Sequence, residues 1–185
     1  MVKRDLIRNI ILIVIAILAF ILLRMFIFSS FRVHEDASNT FLQKNDIVVV
    51  NKNVTPAYKD FIVYEVDGIF YISRVIGTPG DTVTVMDDIL YINDVVQDES
   101  YIEEEKADYQ TSNNQQVFTS DLSVSTVSSG KYTSVPDGTY LVLNDDRQNT
   151  NDSRKFGLIK KSQIRGVINF RLYPLDKFGF FDSEK

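Results

Sequence analysis

The sequence has no cysteine, no tryptophan and a single histidine, His34. Without cysteine, neither a disulfide framework nor a thiolate site can form. One histidine cannot build a His-rich metal site. Carboxylate-only metal binding stays open, although no EF-hand-like loop is present, and we predict no metal and no cofactor. The net charge of −5 comes without a basic patch beyond the N-terminal region, which argues against a nucleic-acid partner.

A long apolar run near the N-terminus is the most distinct compositional feature. Residues 10–28 are apolar except for Arg24, and as a helix they reach about 28 Å, close to the hydrocarbon thickness of a bilayer. Arg24 lies near one end of the run, where its side chain can reach the interface. Lys3, Arg4 and Arg8 precede the run and predict a cytoplasmic N-terminus with an extracytoplasmic remainder.

A cleaved signal peptide is the competing interpretation of this run. The small residues Ser29 and Ser30 follow it, but no Ala-x-Ala-like site does, and the run is long for a signal peptide. We therefore predict an uncleaved single-pass anchor in contact with membrane lipid. The predicted organisation is a cytoplasmic N-terminus at 1–8, a transmembrane anchor at 9–28 and an extracytoplasmic domain at 29–185.

The remainder of the chain is typical of an antiparallel β domain. Short β-branched and aromatic runs alternate with turn signals, including a hairpin turn at Asp67-Gly68 and a second turn around Asp87-Asp88. Residues 97–133 are polar and predict an inserted loop or small subdomain. We expect strands over residues 46–51, 61–66, 69–72, 82–85, 89–92, 140–143 and 163–173.

Two blocks of sequence carry the functional signal. Residues 72–81 read ISRVIGTPGD, a buried strand that enters a tight turn. Residues 140–147 read YLVLNDDR, and residues 151–159 read NDSRKFGLI. Arginines beside aspartates in the second block are suited to bidentate pairs that hold a loop together.

These blocks resemble those of the type I signal peptidases, the S26 family of membrane-anchored Ser/Lys proteases. The family's strand reads Lys-Arg-Val-Ile-Gly-x-Pro-Gly-Asp, and its lysine is the general base. The present chain has Ser73 at the lysine position and then matches the pattern. Its second block is similar to the family's Gly-Asp-Asn-Arg…Asp-Ser-Arg-x-Phe-Gly box, with Asn144 in place of the glycine. The matching residues are Arg74, Gly77, Pro79, Gly80, Asp81, Asp145, Arg147, Asp152, Ser153 and Arg154.

The resemblance also locates the nucleophile position. The family segment Ser-Met-x-Pro-Thr-Leu aligns with residues 37–42, which places Ala37 on the nucleophile. Neither member of the dyad is present, so no catalytic residue is expected. A fallback nucleophile is Ser38, for which Asp36, His34 and Lys44 are poor candidate bases. The expected peptide-binding residues of the cleft are Asp36, Ala37, Ser38 and Ser73.

For the box residues we favour a structural role in which Arg147 and Arg154 pair with Asp145, Asp146 or Asp152. Asn144 can replace glycine if its φ is positive. These positions would then order the site without taking part in catalysis.

The resemblance implies a function as well as a fold. Dyad-less, signal-peptidase-like proteins of Gram-positive surfaces are needed for pilus assembly, and this chain is similar to them. We therefore expect a mainly β, signal-peptidase-like pseudoenzyme that acts as a chaperone or accessory factor in pilus assembly, with pilin subunits or a sortase as partners. The alternatives are an active signal peptidase that uses Ser38 and a purely structural scaffold. Oligomeric state is open, and the exposed β edges and the apolar residues 178–181 allow self-association or contact with the bilayer surface.

Overall fold

The computed structural model describes residues 2–26, 28–34 and 41–180. The chain begins with helix α1 (Val2–Phe26), whose segment Asp5–Leu22 has a mean hydropathy of 2.5 and no buried residue. The apolar side chains of this segment are therefore exposed, which fits a membrane anchor. The helix starts before the predicted boundary at residue 9, and residue 27 lies outside the described residues.

Most of the strands form one antiparallel sheet. They are β1 (Phe28–Arg32), β2 (Ile47–Asn51), β3 (Phe61–Val66), β4 (Ile69–Gly77), β9 (Thr139–Leu143), β10 (Ile159–Lys160), β11 (Ile164–Tyr173) and β12 (Gly179–Phe180). Their order across the sheet is β1-β2-β11-β3-β4-β9-β10, and β12 pairs with β11. This architecture confirms the prediction of a mainly β, antiparallel fold.

A second, smaller sheet follows β4 in the chain. It consists of β5 (Val83–Met86), β6 (Ile89–Ile92), β7 (Val95–Val96) and β8 (Leu122–Ser123), in the order β7-β6-β5-β8. The polar residues 97–133 contribute β8 to this sheet. They also form a 3-10 turn (Ser100–Ile102), helix α2 (Glu103–Ser112) and the short helix α3 (Val124–Val127).

The two predicted hairpins are present, and each turns through two residues of positive φ. Asp67 and Gly68 have φ of 51° and 81° and join β3 to β4. Asp87 and Asp88, with φ of 51° and 61°, join β5 to β6. Two consecutive positive φ angles match the right-handed twist of the flanking strands.

The main sheet is buried on both faces, which decides where the side chains of β4 go. Val48, Phe61, Val63 and Ile72 belong to the apolar cluster on one face. A separate cluster on the other face includes Ile62, Tyr64, Val75, Val142 and Ile159. Because successive side chains of a strand point to opposite faces, Ser73 and Arg74 project in opposite directions.

The turn after β4 contains the last four residues of the first sequence block, residues 78–81. Pro79 and Gly80 occupy its centre, with a φ of 95° at Gly80, and Asp81 N donates to Thr78 O at 3.0 Å. The Asp81 carboxylate accepts bonds from Thr78 N at 2.9 Å, Thr78 Oγ1 at 2.7 Å and Asn93 Nδ2 at 2.8 Å. Asp81 therefore links this turn to the turn between β6 and β7 of the smaller sheet, where Asn93 lies.

We predict that Asp81→Asn lowers the free energy of unfolding at neutral pH and that the deficit shrinks in acid. Burial raises the pKa of Asp81, but the hydrogen bonds from Thr78 and Asn93 outweigh it and hold this pKa below its ordinary value. The unfolded carboxyl therefore takes up a proton first, so the stabilisation is complete above about pH 4 and is lost as the pH falls through the folded-state pKa. Urea unfolding of both proteins between pH 7 and pH 3 measures this, and a deficit that is unchanged over that range would contradict it.

Candidate functional site

Ser73 lies at the centre of the candidate site and is fully buried on β4. Its Oγ donates to Asn144 Oδ1 at 2.7 Å and lies 3.0 Å from Tyr64 Oη. Tyr64 Oη in turn donates to the backbone oxygen of Asn151 at 3.3 Å. The position that resembles the family's lysine is therefore occupied by a hydrogen-bonded serine.

The groups that share hydrogen bonds with Ser73 are neutral. Burial raises the pKa of the Tyr64 hydroxyl well above its ordinary value, so the phenol keeps its proton. Asn144 carries an amide, and its Nδ2 donates to Asn149 O at 2.9 Å. Among the described residues, no lysine nitrogen forms a hydrogen bond with Ser73, so this network contains no amine that accepts a proton.

Asn144 lies where the family motif has glycine, and its φ is not positive. The condition under which the sequence analysis allowed asparagine to replace glycine is therefore not met. The side chain of Asn144 explains why asparagine occupies this position, because Asn144 Oδ1 accepts a hydrogen bond from the Ser73 hydroxyl. Two of the departures from the motif, at positions 73 and 144, are thus in direct contact.

Arg74, on the opposite face of β4, forms a buried bidentate pair with Asp145. Its Nε donates to Asp145 Oδ1 at 2.8 Å and its Nη2 to Oδ2 at 2.7 Å, and both side chains are fully buried. Burial raises the pKa of Asp145, and Arg74 opposes that rise. The guanidinium carbon lies 3.9 Å from the ring centre of Tyr101 and 4.2 Å from that of Phe61. Arg74 is therefore held by a charge and by two aromatic faces.

Arg147 does not form the pair predicted for it. Its Nη2 donates to Glu99 at 2.7 Å, and the same Glu99 oxygen accepts a bond from Tyr101 Oη at 2.9 Å. Glu99 is 48 residues away in sequence, in the segment after the smaller sheet, so the ion pair ties residues 97–133 to the second block. The other two guanidinium nitrogens of Arg147 are buried without a hydrogen-bond partner in the described part of the chain.

Arg154 forms the pair predicted for it. It binds the carboxylate of Asp152, with Nη2 to Oδ2 at 2.6 Å. Asp152 Oδ2 also accepts from Asn144 N at 2.9 Å, and Ser153 Oγ accepts from Val142 N at 2.9 Å. Asp152 caps helix α4 (Ser153–Phe156). These residues fasten the loop after β9 back onto that strand.

Three residues of the predicted cleft, Asp36, Ala37 and Ser38, lie outside the described residues. The candidate bases on either side are described: His34 is exposed, with its ring edge-on to Phe31 at 6.0 Å, and Lys44 is also exposed. Phe181 of the C-terminal apolar run is likewise outside the described range, whereas Phe178 and Phe180 are exposed and pack against Phe170.

One edge of β4 is open beside Ser73. Strand β9 pairs with β4 only at Arg74, Val75 and Gly77, so in the described residues no strand pairs with Ile69–Ile72 on the side away from β3. The main sheet curls enough that Phe31 of β1 contacts Phe70 of β4, with ring centres 5.7 Å apart.

A groove of about 470 Å³ runs across this concave face, lined by residues that include Ser29, Ser30, Phe31, Val63 and Phe70. An extended chain can pair with such an edge and place alternate side chains in such a groove.

The sequence analysis missed Tyr64, Tyr101 and Glu99, which complete the two networks. Each meets its partner through tertiary contacts, such as Tyr64 with Ser73 across two strands and Glu99 with Arg147 over 48 residues. No motif marks them. The described residues contain no group of three or more His, Asp or Glu side chains placed to hold a metal ion, and the absence of a cofactor stays a prediction.

Comparison with known proteins identifies the family of this chain. Residues 6–173 match the family described as "Signal peptidase, peptidase S26". The chain is 36% identical over 163 residues to a signal peptidase I of Bacillus caldolyticus, covering 85% of this chain and 86% of the relative. It is 32% identical over 187 residues to signal peptidase IB of Staphylococcus aureus (strain MRSA252), covering 96% and 95% of the two chains.

A solved structure agrees with these matches. The crystal structure of a signal peptidase I from Enterococcus faecalis V583 is 34% identical in sequence and aligns with a TM-score of 0.56 over 62% of this chain and 97% of that one. The family match and the relatives both span most of the chain. The chain therefore belongs to the S26 family of signal peptidases.

Proposed function

We propose that this chain is a non-catalytic member of the S26 family that binds extended peptide segments at the outer face of the membrane during surface pilus assembly. The observation that carries the proposal is the contact between two buried residues, Ser73 and Asn144, whose Oγ and Oδ1 atoms lie 2.7 Å apart. Both residues depart from the family motif, and the hydroxyl of Ser73 supplies the donor for the buried side-chain oxygen of Asn144.

The chemistry of a Ser/Lys protease cannot run through this network. The reaction needs a neutral amine within hydrogen-bond reach of a serine hydroxyl, so that the amine takes the hydroxyl proton. At the base position, Ser73 offers a hydroxyl that is already donated to Asn144. At the nucleophile position the sequence has Ala37, which has no reactive atom.

Peptide binding depends on different atoms from catalysis. The open edge of β4 at Ile69–Ile72 offers backbone donors and acceptors, and the groove beside Phe31 and Phe70 offers room for side chains. Recognition by strand addition draws its affinity from main-chain hydrogen bonds. Loss of the two catalytic side chains leaves both features in place.

The role in pilus assembly comes from the resemblance to dyad-less, signal-peptidase-like proteins. In this account α1 anchors the chain once, with the N-terminus in the cytoplasm, and the β domain acts as a chaperone or accessory factor beside the membrane. Its partners are pilin subunits, a sortase or both. The exposed apolar surface of α1 and the basic residues that precede its apolar run support this topology.

We predict a double-mutant cycle at Ser73 and Asn144 with strong coupling. Ser73→Ala and Asn144→Ala should each lower the free energy of unfolding by about 1–2 kcal/mol, because each leaves a buried partner unsatisfied. The double variant should lose about 1 kcal/mol less than the sum. Urea unfolding of the full chain in detergent measures the cycle.

The control for this cycle is Ser162→Ala, which removes an exposed hydroxyl and should change little. Additive losses at Ser73 and Asn144 would contradict the contact.

We predict that the chain does not cleave a signal-peptide substrate. The assay uses the full chain in lipid, with an authentic signal peptidase as the positive control and the Ser38→Ala variant alongside. No product should form with either form of the chain while the control is active. Product formed by the unaltered chain and lost in Ser38→Ala would instead establish an active peptidase with Ser38 as the nucleophile.

The pilus role is tested in the source cells. Deletion of the gene should abolish pilus polymerisation, and the Ser38→Ala variant should restore it as well as the unaltered gene does. Restoration by the unaltered gene alone, together with substrate cleavage that is lost in Ser38→Ala, would contradict a non-catalytic role.

A further inference from the structure

The smaller sheet carries a second groove that the proposed function does not use. It has a volume of about 640 Å³ and lies between helix α2 and the hairpin of β6 and β7. Its wall includes Val96 and Leu90 from the strands, Ala107 from the helix and the acidic residues Asp98 and Glu103. The groove is separate from the open edge of β4, which belongs to the main sheet.

The segment that surrounds this groove is strongly acidic. Residues 87–108 contain nine of the 25 acidic residues of the chain and a single basic residue, Lys106. The Nζ of Lys106 donates to Asp88 O at 2.7 Å. The groove wall carries the four carboxylates of Asp88, Asp98, Glu99 and Glu103 against this one ammonium, so its net charge is negative.

The acidic residues that line the groove fall into two pairs. Asp88 and Glu99 are committed to the fold: Asp88 accepts from the backbone N–H groups of Phe118 and Thr119, and Glu99 accepts from Arg147. Asp98 and Glu103 are exposed, and neither forms an ion pair within the described part of the chain. These two carboxylates are available to an external cation.

The edge of the smaller sheet beside this groove is also open. Strand β7 ends the order β7-β6-β5-β8, and its two valines are each 60% exposed. Gln97 N donates to Leu90 O, so by the alternation of an antiparallel ladder the backbone groups of Val96 point away from β6. In the described residues nothing pairs with them. Exposed, apolar edge strands are sites where another chain adds.

We propose that this edge and groove form a docking surface for an extended, lysine- or arginine-bearing peptide segment of a partner protein. The segment adds as a strand beside Val96, and its cationic side chains reach Asp98 and Glu103. Charge complementarity selects this occupant, because a second copy of the chain would bring one acidic groove against another.

The test uses the full chain in nanodiscs of zwitterionic lipid, so that the membrane itself does not attract the probe. The probe is a fluorescein-labelled nonapeptide of alternating threonine and lysine, and a peptide with glutamate in place of lysine is its control. Fluorescence anisotropy should show binding of the lysine peptide, weakened by added salt, and no binding of the glutamate peptide.

Two pairs of variants separate a docking site from general attraction. Asp98→Asn with Glu103→Gln removes the two groove charges and should weaken binding about tenfold. Glu104→Gln with Asp108→Asn makes the same change in net charge outside the groove wall and should leave binding within about twofold. Val96→Pro removes the outward N–H and should weaken binding, whereas Val96→Ala keeps that N–H and should bind as the unaltered chain does.

Each contrary outcome overturns the proposal. Equal binding of the two peptides, or equal losses in the two charge variants, would show attraction without a site. Equal effects of Val96→Pro and Val96→Ala would exclude strand addition. Sedimentation that shows a dimer broken by Val96→Pro would assign the edge to a second copy. Because the β4 edge is unaltered in all of these variants, none of these results bears on the proposed function.

Discussion

The buried pair of Arg74 and Asp145 is the interaction on which the arrangement of the outer domain depends. It joins β4 to the loop after β9 across 71 residues of sequence, and both side chains are fully buried. A lone buried guanidinium would be strongly destabilising, so its two hydrogen bonds to Asp145 and the faces of Tyr101 and Phe61 are required together. Tyr101 lies in the polar segment 97–133. Arg147 forms an ion pair with Glu99 of the same segment. The same centre therefore positions both sheets.

Ser73 is next to Arg74 in sequence but belongs to the opposite face of the strand. The family motif around it retains Arg74 and Asp145, which pair in the buried interior, and departs at Ser73 and Asn144. Ser73 and Asn144 meet in a hydrogen bond, and Tyr64 completes a neutral network. A lysine in this place would need room and a depressed pKa. The present side chains fill the site instead, while the edge of β4 at Ile69–Ile72 has no strand partner on the side away from β3 among the described residues.

The sequence predicted the parts of this structure that depend on local chemistry. The Asp67-Gly68 turn, the β-branched strands and the apolar helix follow from neighbouring residues, and so does the pairing of Arg154 with Asp152 two positions away. The ion pair of Arg147 with Glu99 could not be predicted from the sequence. The chain has many carboxylates that could pair with this guanidinium, and only the tertiary fold determines which of them lies beside it. Helix α2 was missed because its residues are polar on all sides and none is buried.

Hydrogen exchange of the full chain in nanodiscs, with and without a saturating signal-peptide substrate, tests the central claim most directly. The account predicts slower amide exchange along Ile69–Ile72, where β4 has an open edge, together with recovery of the peptide intact. Strand addition protects backbone amides whether or not chemistry follows, so the two readouts are independent. Unchanged exchange at Ile69–Ile72 would contradict peptide binding at this edge, and recovery of cleaved peptide would contradict the absence of catalysis.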